Sequence, residues 1–360
     1  MVYYVIGLMS GSSMDGLDIA YVQLEEIRGN WQYTLLHGEC IPYTSDWEHK
    51  LKHADGLHVS DFLKLHTSYG RYIGAQVQLF IQTHDLEHKV HFIASHGHTV
   101  FHEPANNTTF QLGDGASIAA VAGLPVISDL RSVDVALGGQ GAPIVPIGDK
   151  LLFGQYEYLL NIGGIANMTV WQNGEPVAFD VCAANQVLNA LAAREGRTMD
   201  EDGMMAASGT MLYDVFDHLN GVDYYKKPAP KSLSNEQAMS SVFPVLLESN
   251  NNTYDMLHTA TAHIARQIAL AAARYPHHKE AAHMLVTGGG AFNSFLVSTL
   301  QKELSGYNIE VVVPAPDVIK YKEAIVMALI GTLRWREEAN VLSSVTGARR
   351  DSINGALWMV

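Results

Sequence analysis

Residues 2–25 read VYYVIGLMSGSSMDGLDIAYVQLE: an apolar run, a turn rich in Gly and Ser, and a second run with partial alternation. The segment between the runs is too short for a crossover helix, so the simplest geometry is strand, tight turn, strand. A dinucleotide-binding fold would instead place a helix after its glycine turn. The same pattern returns at 157–171, EYLLNIGGIANMTVW, as strand, Gly turn, strand. Two similar openings in one chain predict two related halves.

Between them, Phe62, Leu65, Tyr69, Ile73, Val77 and Phe80 fall at helical spacing, which predicts an amphipathic helix over 60–84. Residues 90–97 read as a strand, 110–123 as strand, turn and helix, and 125–130 as another strand. Gly-Gly and two prolines in 134–149 mark a boundary. Beyond it, 186–195 begin a helix, 255–275 are helical, 283–304 read strand, glycine turn, helix, 311–316 are a strand, and 322–338 a long helix. Alternating strands and helices give the α/β class. The expected architecture is a duplicated, actin-like (hexokinase-like) two-domain fold with a central cleft. Residues 1–133, completed by the tail 345–360, form one domain and 134–344 the other.

The chain has 360 residues, 48% of them apolar, enough for two cored domains. With 23 basic and 37 acidic residues its formal charge is -14, opposite to the broad positive field of a nucleic-acid binder. A local anion site needs no lysine, because backbone N–H groups can build one. Cys40 and Cys182 are too far apart in sequence to form a close metal-ligand or redox pair. The apolar start lacks a basic leader and no run spans a bilayer, so a cytoplasmic protein without a membrane partner is expected.

Three glycine turns are candidate phosphate cradles. Ser10, Gly11, Ser12, Ser13, Met14, Asp15 and Gly16 form the first, Gly163 and Gly164 the second, and Gly288, Gly289 and Gly290 the third. Each alone reads first as an ordinary turn; three at separated strand ends favour nucleotide transfer. No P-loop sequence occurs, but backbone dipoles and magnesium can stabilise the same charge. Asp15 fits a hydrated magnesium ion better than a phosphate.

Asp180, after an apolar strand and before the helix containing Asn185, is the preferred acid–base residue, with helix capping the competing role. Asp134 is its main competitor; it can bind sugar hydroxyls and Arg131 a carboxylate, with Gln140 beside them, and an interdomain ion pair is the alternative. In SHGHTVFHEP at 95–104 the spacing does not suit zinc, so His96 is read as a ligand hydrogen-bonding or cleft-packing group. Glu103 contacts a hydroxyl or is simply surface. Glu323 opens an apolar helix, either as a magnesium ligand or as a first-turn structural Glu.

The ordered set GLMSGSSMDGLDIA (7–20), SHGHTVFHEP (95–104), DLRSVDVALGGQGAPIVP (129–146), NIGGIANMTV (161–170), AFD (178–180), DEDG (200–203), PKS (230–232), GGGAFN (288–293) and KEA (322–324) resembles the anhydro-N-acetylmuramic acid kinase family. The resemblance implies an actin-like kinase using ATP and Mg2+ on 1,6-anhydro-N-acetylmuramic acid in cell-wall recycling. Water opens the anhydro bond and O6 is phosphorylated, giving N-acetylmuramic acid 6-phosphate and ADP. It also implies a homodimer, Asp180 as base, Glu323 at the metal and the three turns around ATP. Two departures stand out. The family reads Phe-Asp-Thr-Gly-Pro-Gly-Asn where this chain has Phe179-Asp180-Val181-Cys182-Ala183-Ala184-Asn185, and a Gly-Arg pair where it has Ser234-Asn235. These leave a kinase for another amino sugar, or a noncatalytic binder with the same fold, as alternatives.

Overall fold

The computed structural model describes residues 1–11, 14, 16–228, 231–233, 243–247, 250–277 and 279–360. The chain divides into two compact units, 1–152 with 321–360, and 153–320.

In the first unit β1 (Val2–Ser10) is the central strand. Its run Val5–Leu8 is buried throughout, as befits a strand covered on both faces. It pairs antiparallel with β2 (Gly16–Ile27), which pairs antiparallel with β3 (Asn30–Pro42). On its other side lie β4 (Phe92–Ser95) and β7 (Val126–Ser128), both parallel, and the edge strand Ala356–Trp358 closes the sheet. β5 (His98–Glu103) and β6 (Thr108–Leu112) form a separate hairpin. The helix Val59–Thr83 buries Leu65, Tyr69, Ile73, Val77 and Phe80, a single helical stripe.

The helix Pro316–Trp335 lies against β1 and β4 because two glycines let it. A Cβ on Gly7 would sit 1.9 Å from the Ala324 carbonyl oxygen, and one on Gly331 2.5 Å from the Ala94 Cβ. This contact places 321–344 in the first unit. Gly148 packs equally closely on Val326, so the helix Pro146–Leu152 goes with them. The unit boundaries therefore differ from the 133 and 344 expected from sequence. Glycines read as loop signals include close-packing positions.

The second unit repeats the plan. β8 (Tyr158–Ile162) pairs antiparallel with β9 (Ile165–Gln172), and β9 with β10 (Glu175–Ala183). β11 (Ala282–Thr287) and β12 (Ile309–Val312) extend the other side in parallel. The order β10-β9-β8-β11-β12 matches β3-β2-β1-β4-β7 strand for strand. The α/β class and the duplicated actin-like arrangement are thus established by topology. Helix ends carry their own caps: Asn252 accepts from Tyr254 N–H, and Asn293 from Leu296 N–H, each at 2.9 Å. Among the described residues no helix is long and apolar enough to cross a membrane.

Candidate active site

In the second unit, three segments from separate stretches of sequence meet at the ends of β8 and β11. The Gly163-Gly164 turn joins β8 to β9, and its carbonyls accept the N–H groups of Ala184, Asn185 and Gln186 at 2.8, 3.0 and 3.3 Å. These bonds hold the start of the helix Asn185–Ala192 against the turn. The Asn185 amide donates to the Ile162 carbonyl at 3.0 Å. Gly288 follows β11 at φ 80°, and a Cβ there would lie 2.6 Å from Asn161 Oδ1. A Cβ on Gly290 would lie 2.3 Å from Ile162 Cγ2. Gly288 and Gly290 are therefore demanded by packing. A Cβ on Gly163 or Gly164 would meet only ordinary contacts at 3.5 Å and beyond, so packing does not require glycine there.

Asp180 occupies the same corner of the unit. It lies opposite Asn167, and Asn167 opposite Asn161, so the three form one line across β10, β9 and β8. Asp180 is half-buried, and its Oδ2 accepts from Leu233 N–H at 2.9 Å and Ser232 Oγ at 3.4 Å. Its own N–H donates to the Lys231 carbonyl at 3.0 Å, and its carbonyl accepts from Tyr224 at 2.8 Å. Burial raises its carboxyl above the ordinary range, against the opposing pulls of Leu233, Ser232 and Lys231. Asn161 and Asn167 were missed in the sequence, where they read only as turn flanks. The strand register could not be known before the sheet was. Gln186 was missed too: its buried amide nitrogen, beside Gly164, has no partner among the described residues.

The residues that depart from the family pattern face inward. Val181, Cys182, Ala183 and Ala184 are at most 2% exposed and belong to the unit's core. A bulge between Asp180 and Cys182 lets the strand re-aim there. Ser234 and Asn235 lie outside the described residues.

The first unit carries a second cluster. Arg131 donates through Nε to His96 Nε2 at 2.8 Å and through Nη1 to the Gly141 carbonyl at 2.6 Å. His96 Nε2 must therefore be the acceptor, so its Nδ1 carries the proton and donates to the Gly97 carbonyl at 2.8 Å. Burial, then the Arg131 charge, lower its pKa to about 3. His96 is thus a neutral prop for Arg131 and has no ring nitrogen left for a sugar. Burial lowers Arg131 to about 10, with Glu323 opposing, so it stays charged at neutral pH. The Glu323 carboxyl is raised by desolvation, although Lys322 and Arg131 pull it down, and water still reaches the side chain. Lys322 is itself paired with Asp149 at 2.8 Å.

Other expected ligands serve the fold. Asp134 is fully buried; its carboxylate accepts from Gly141 N–H and from the Thr346 hydroxyl, both at 2.7 Å. It ties the glycine segment to the C-terminal segment and is not presented to a sugar. The Ser10 hydroxyl is also internal, bonded to Tyr43 at 2.8 Å and His98 at 3.2 Å, leaving only its backbone for a phosphate. Gly16 is required because a Cβ would sit 2.6 Å from the Ile41 carbonyl oxygen. Met14 adopts φ 57° and closes the turn onto Gly11. Ser12, Ser13 and Asp15 lie outside the described residues. Glu103 is exposed and accepts from Asn106, whereas Gln140 is exposed beside Gly141. The 200–203 turn is structural: Asp200 receives Met205 and Ala206 N–H groups, and Asp202 the Ser294 N–H.

A duplicated sheet of this order defines the actin-like fold. A family model for anhydro-N-acetylmuramic acid kinase matches residues 3–360. The chain belongs to the anhydro-N-acetylmuramic acid kinase family, ATP-dependent sugar kinases of peptidoglycan metabolism. It is 33% identical to anhydro-N-acetylmuramic acid kinase of Shewanella sediminis (strain HAW-EB3), covering 99% of this chain and 98% of that one. It is 30% identical to that of Francisella tularensis subsp. novicida (strain U112), covering 98% of each. Among solved structures it is similar to the activator of 2-hydroxyisocaproyl-CoA dehydratase from Clostridium difficile. The identity there is 16% and the TM-score 0.44, over 93% of this chain and 97% of that one.

Proposed function

We propose that this chain opens 1,6-anhydro-N-acetylmuramic acid with water and phosphorylates O6 from ATP, giving N-acetylmuramic acid 6-phosphate and ADP. The observation that favours this most is Asp180: a half-buried carboxylate held through one oxygen, with its affinity for a proton raised by burial. A general base needs that combination.

Asp180 takes a proton from water as the water oxygen bonds to the anomeric carbon. The C1–O6 bond breaks, passing through oxocarbenium character as in glycoside cleavage. The departing O6 attacks the γ-phosphorus, and the β–γ bridging oxygen leaves with ADP. Charge on the leaving sugar oxygen is thus transferred directly to phosphorus. Asn167 and Asn161, in line with Asp180, offer neutral hydrogen bonds to water or phosphate. Gly163 and Gly164 let phosphate approach the backbone, and Gly288–Gly290 with Asn185 border the nucleotide. Within the first unit, Arg131 is bonded among the described residues only through Nε and Nη1, so its guanidinium edge is the candidate for a lactyl carboxylate, with Gln140 in the same segment. The 10–16 turn of the first unit is a separate candidate for phosphate contact by family resemblance.

Magnesium would neutralise phosphate charge as the γ-phosphoryl group transfers. Among the described residues no three His, Cys, Asp or Glu side chains group as a metal cage. Mg2+ ordinarily keeps several waters and binds one or two carboxylates with substrate phosphates, a demand that Glu323 can meet. Asp15 is the second candidate. Homodimerisation follows from the family resemblance and is checked by light scattering.

The deciding experiment combines purified protein, Mg-ATP and the anhydro sugar, and follows sugar phosphate by mass. Absence of product with demonstrated ATP binding would refute the substrate assignment. A panel of other amino sugars would then separate altered specificity from a noncatalytic binder.

A further inference from the structure

The chain is strongly acidic, yet one corner of the second unit gathers three cations. Lys231 Nζ lies 4.4 Å and Lys227 Nζ 5.8 Å from the centre of the Tyr224 ring. Arg274 Nη1 donates to the Lys227 carbonyl at 3.3 Å, and Lys231 Nζ to the Tyr224 carbonyl at 3.3 Å. No carboxylate among the described residues lies within ion-pair distance of any of the three, although the Asp180 charge acts on Lys231 from further away. Neighbouring Lys226 shows the contrast, pairing with Asp223 at 2.7 Å. The Cys182 thiol beside Lys231 supplies no countercharge, since burial pushes it up to about 12.

These side chains surround a cavity of about 20 Å³, partly open to solvent and otherwise lined by Phe179, Val181, Tyr225, Gln267 and Tyr275 among others. Phe179 immediately precedes Asp180 in regular register on β10, so this wall of the cavity lies on the opposite face of the strand from Asp180. The volume admits about one water-sized group. An oxyanion would place one oxygen inside and leave the others at the rim. An arginine fork with two flexible ammonium groups suits a tetrahedral, multiply charged oxyanion.

We propose that Lys227, Lys231 and Arg274 form a phosphate-type oxyanion site behind β10, distinct from the turns that hold ATP. Burial, and then the Arg274 charge, hold the Lys231 ammonium below its ordinary value, a cost that an anion removes. The same lysine begins the 231–233 segment that receives Asp180 N–H and donates to its carboxylate. An occupant therefore orders the backbone that fixes Asp180. Inorganic phosphate and a sugar phosphate share the necessary chemistry.

The test is equilibrium dialysis with labelled inorganic phosphate, on protein saturated with a nonhydrolysable ATP analogue, and in parallel with N-acetylmuramic acid 6-phosphate. One phosphate-type ligand should bind per chain, with affinity reduced at least tenfold by Arg274→Met and by Lys227→Met. Hydrogen exchange in the peptide covering 224–233 should slow on binding. Tighter binding of the sugar phosphate identifies a product-sensing site; tighter binding of phosphate identifies a free-phosphate site. No binding of either, or binding unchanged in both variants, overturns the proposal, as does unchanged exchange with the site filled.

Discussion

The carboxylate of Asp180 and the backbone N–H of Leu233 are joined by a 2.9 Å hydrogen bond that spans fifty-three residues of sequence. One oxygen of the carboxylate is thereby oriented by a backbone donor that only a proline at 233 would remove. The bond alone would stabilise the ionised form, but burial outweighs it. Asp180→Asn keeps the acceptor oxygen while abolishing proton uptake. Turnover of the anhydro sugar should fall about 10²–10⁴-fold, the usual contribution of a general base. ATP affinity should change little, as read by calorimetry. Preserved turnover would remove Asp180 from the role of base.

Because the Asp180 carboxyl is raised, the acid limb of kcat/KM should lie above the range of an ordinary aspartate. Activity should fall as pH drops through that limb, where the base becomes protonated. The Lys231 charge opposes the shift. In Lys231→Met the limb should therefore move to still higher pH, and a downward move would contradict the assignment.

Arg131 is held at two points, by His96 and by the Gly141 carbonyl. Lysine cannot satisfy both and still present a fork. Arg131→Lys should raise the sugar KM about tenfold or more, the scale of a lost charge-assisted hydrogen bond. With 1,6-anhydro-N-acetylglucosamine, which lacks the lactyl carboxylate, the two proteins should behave alike. Equal losses on both sugars would mean that Arg131 has no carboxylate role.

Glu323→Gln should raise the magnesium concentration giving half-maximal turnover, by about tenfold if the carboxylate reaches the ion through water. Nucleotide affinity measured without metal should be unaffected. An unchanged magnesium titration would count against the contact.

The glycine turns should separate by function. Gly290→Ala forces a Cβ to 2.3 Å from Ile162 Cγ2 and should destabilise by about 1–3 kcal/mol, the scale of overpacking. Gly163→Ala has room and should leave urea unfolding nearly unchanged while weakening ATP binding. The reverse pattern would place the phosphate elsewhere.

His263 tests the electrostatics of the core. It is buried between Tyr225 and the Asn220 amide oxygen, and burial lowers its pKa to about 3. The unfolded histidine takes up a proton near pH 6.5 and the folded one does not. Its contribution to stability is therefore complete above that pH and lost on acidification toward 3, at about 1.4 kcal/mol per pH unit. His263→Gln should flatten the pH dependence of urea unfolding over that window by about one proton.

Much of the molecule was legible locally. The run 2–8 and the stripe from Phe62 to Phe80 define their elements by periodicity, which depends only on neighbours in sequence. Asp180, Asn185 and the glycine turns were visible as residue types suited to phosphate chemistry. β3 was not anticipated, because an edge strand with alternating exposure resembles a polar connection until β2 pairs with it.

By itself, the sequence determined two similar α/β halves, three glycine turns and the kinase family to which the chain belongs. Only the tertiary structure decided which of those groups are available for chemistry. It turned Asp134, His96 and the Ser10 hydroxyl inward, where each is occupied by hydrogen bonds from distant segments. It aligned Asp180 with Asn167 and Asn161, since register is fixed by pairing between strands and not along any one of them. Whether a polar group binds a ligand or braces the fold depends on which partners reach it first, and those partners lie tens to hundreds of residues away.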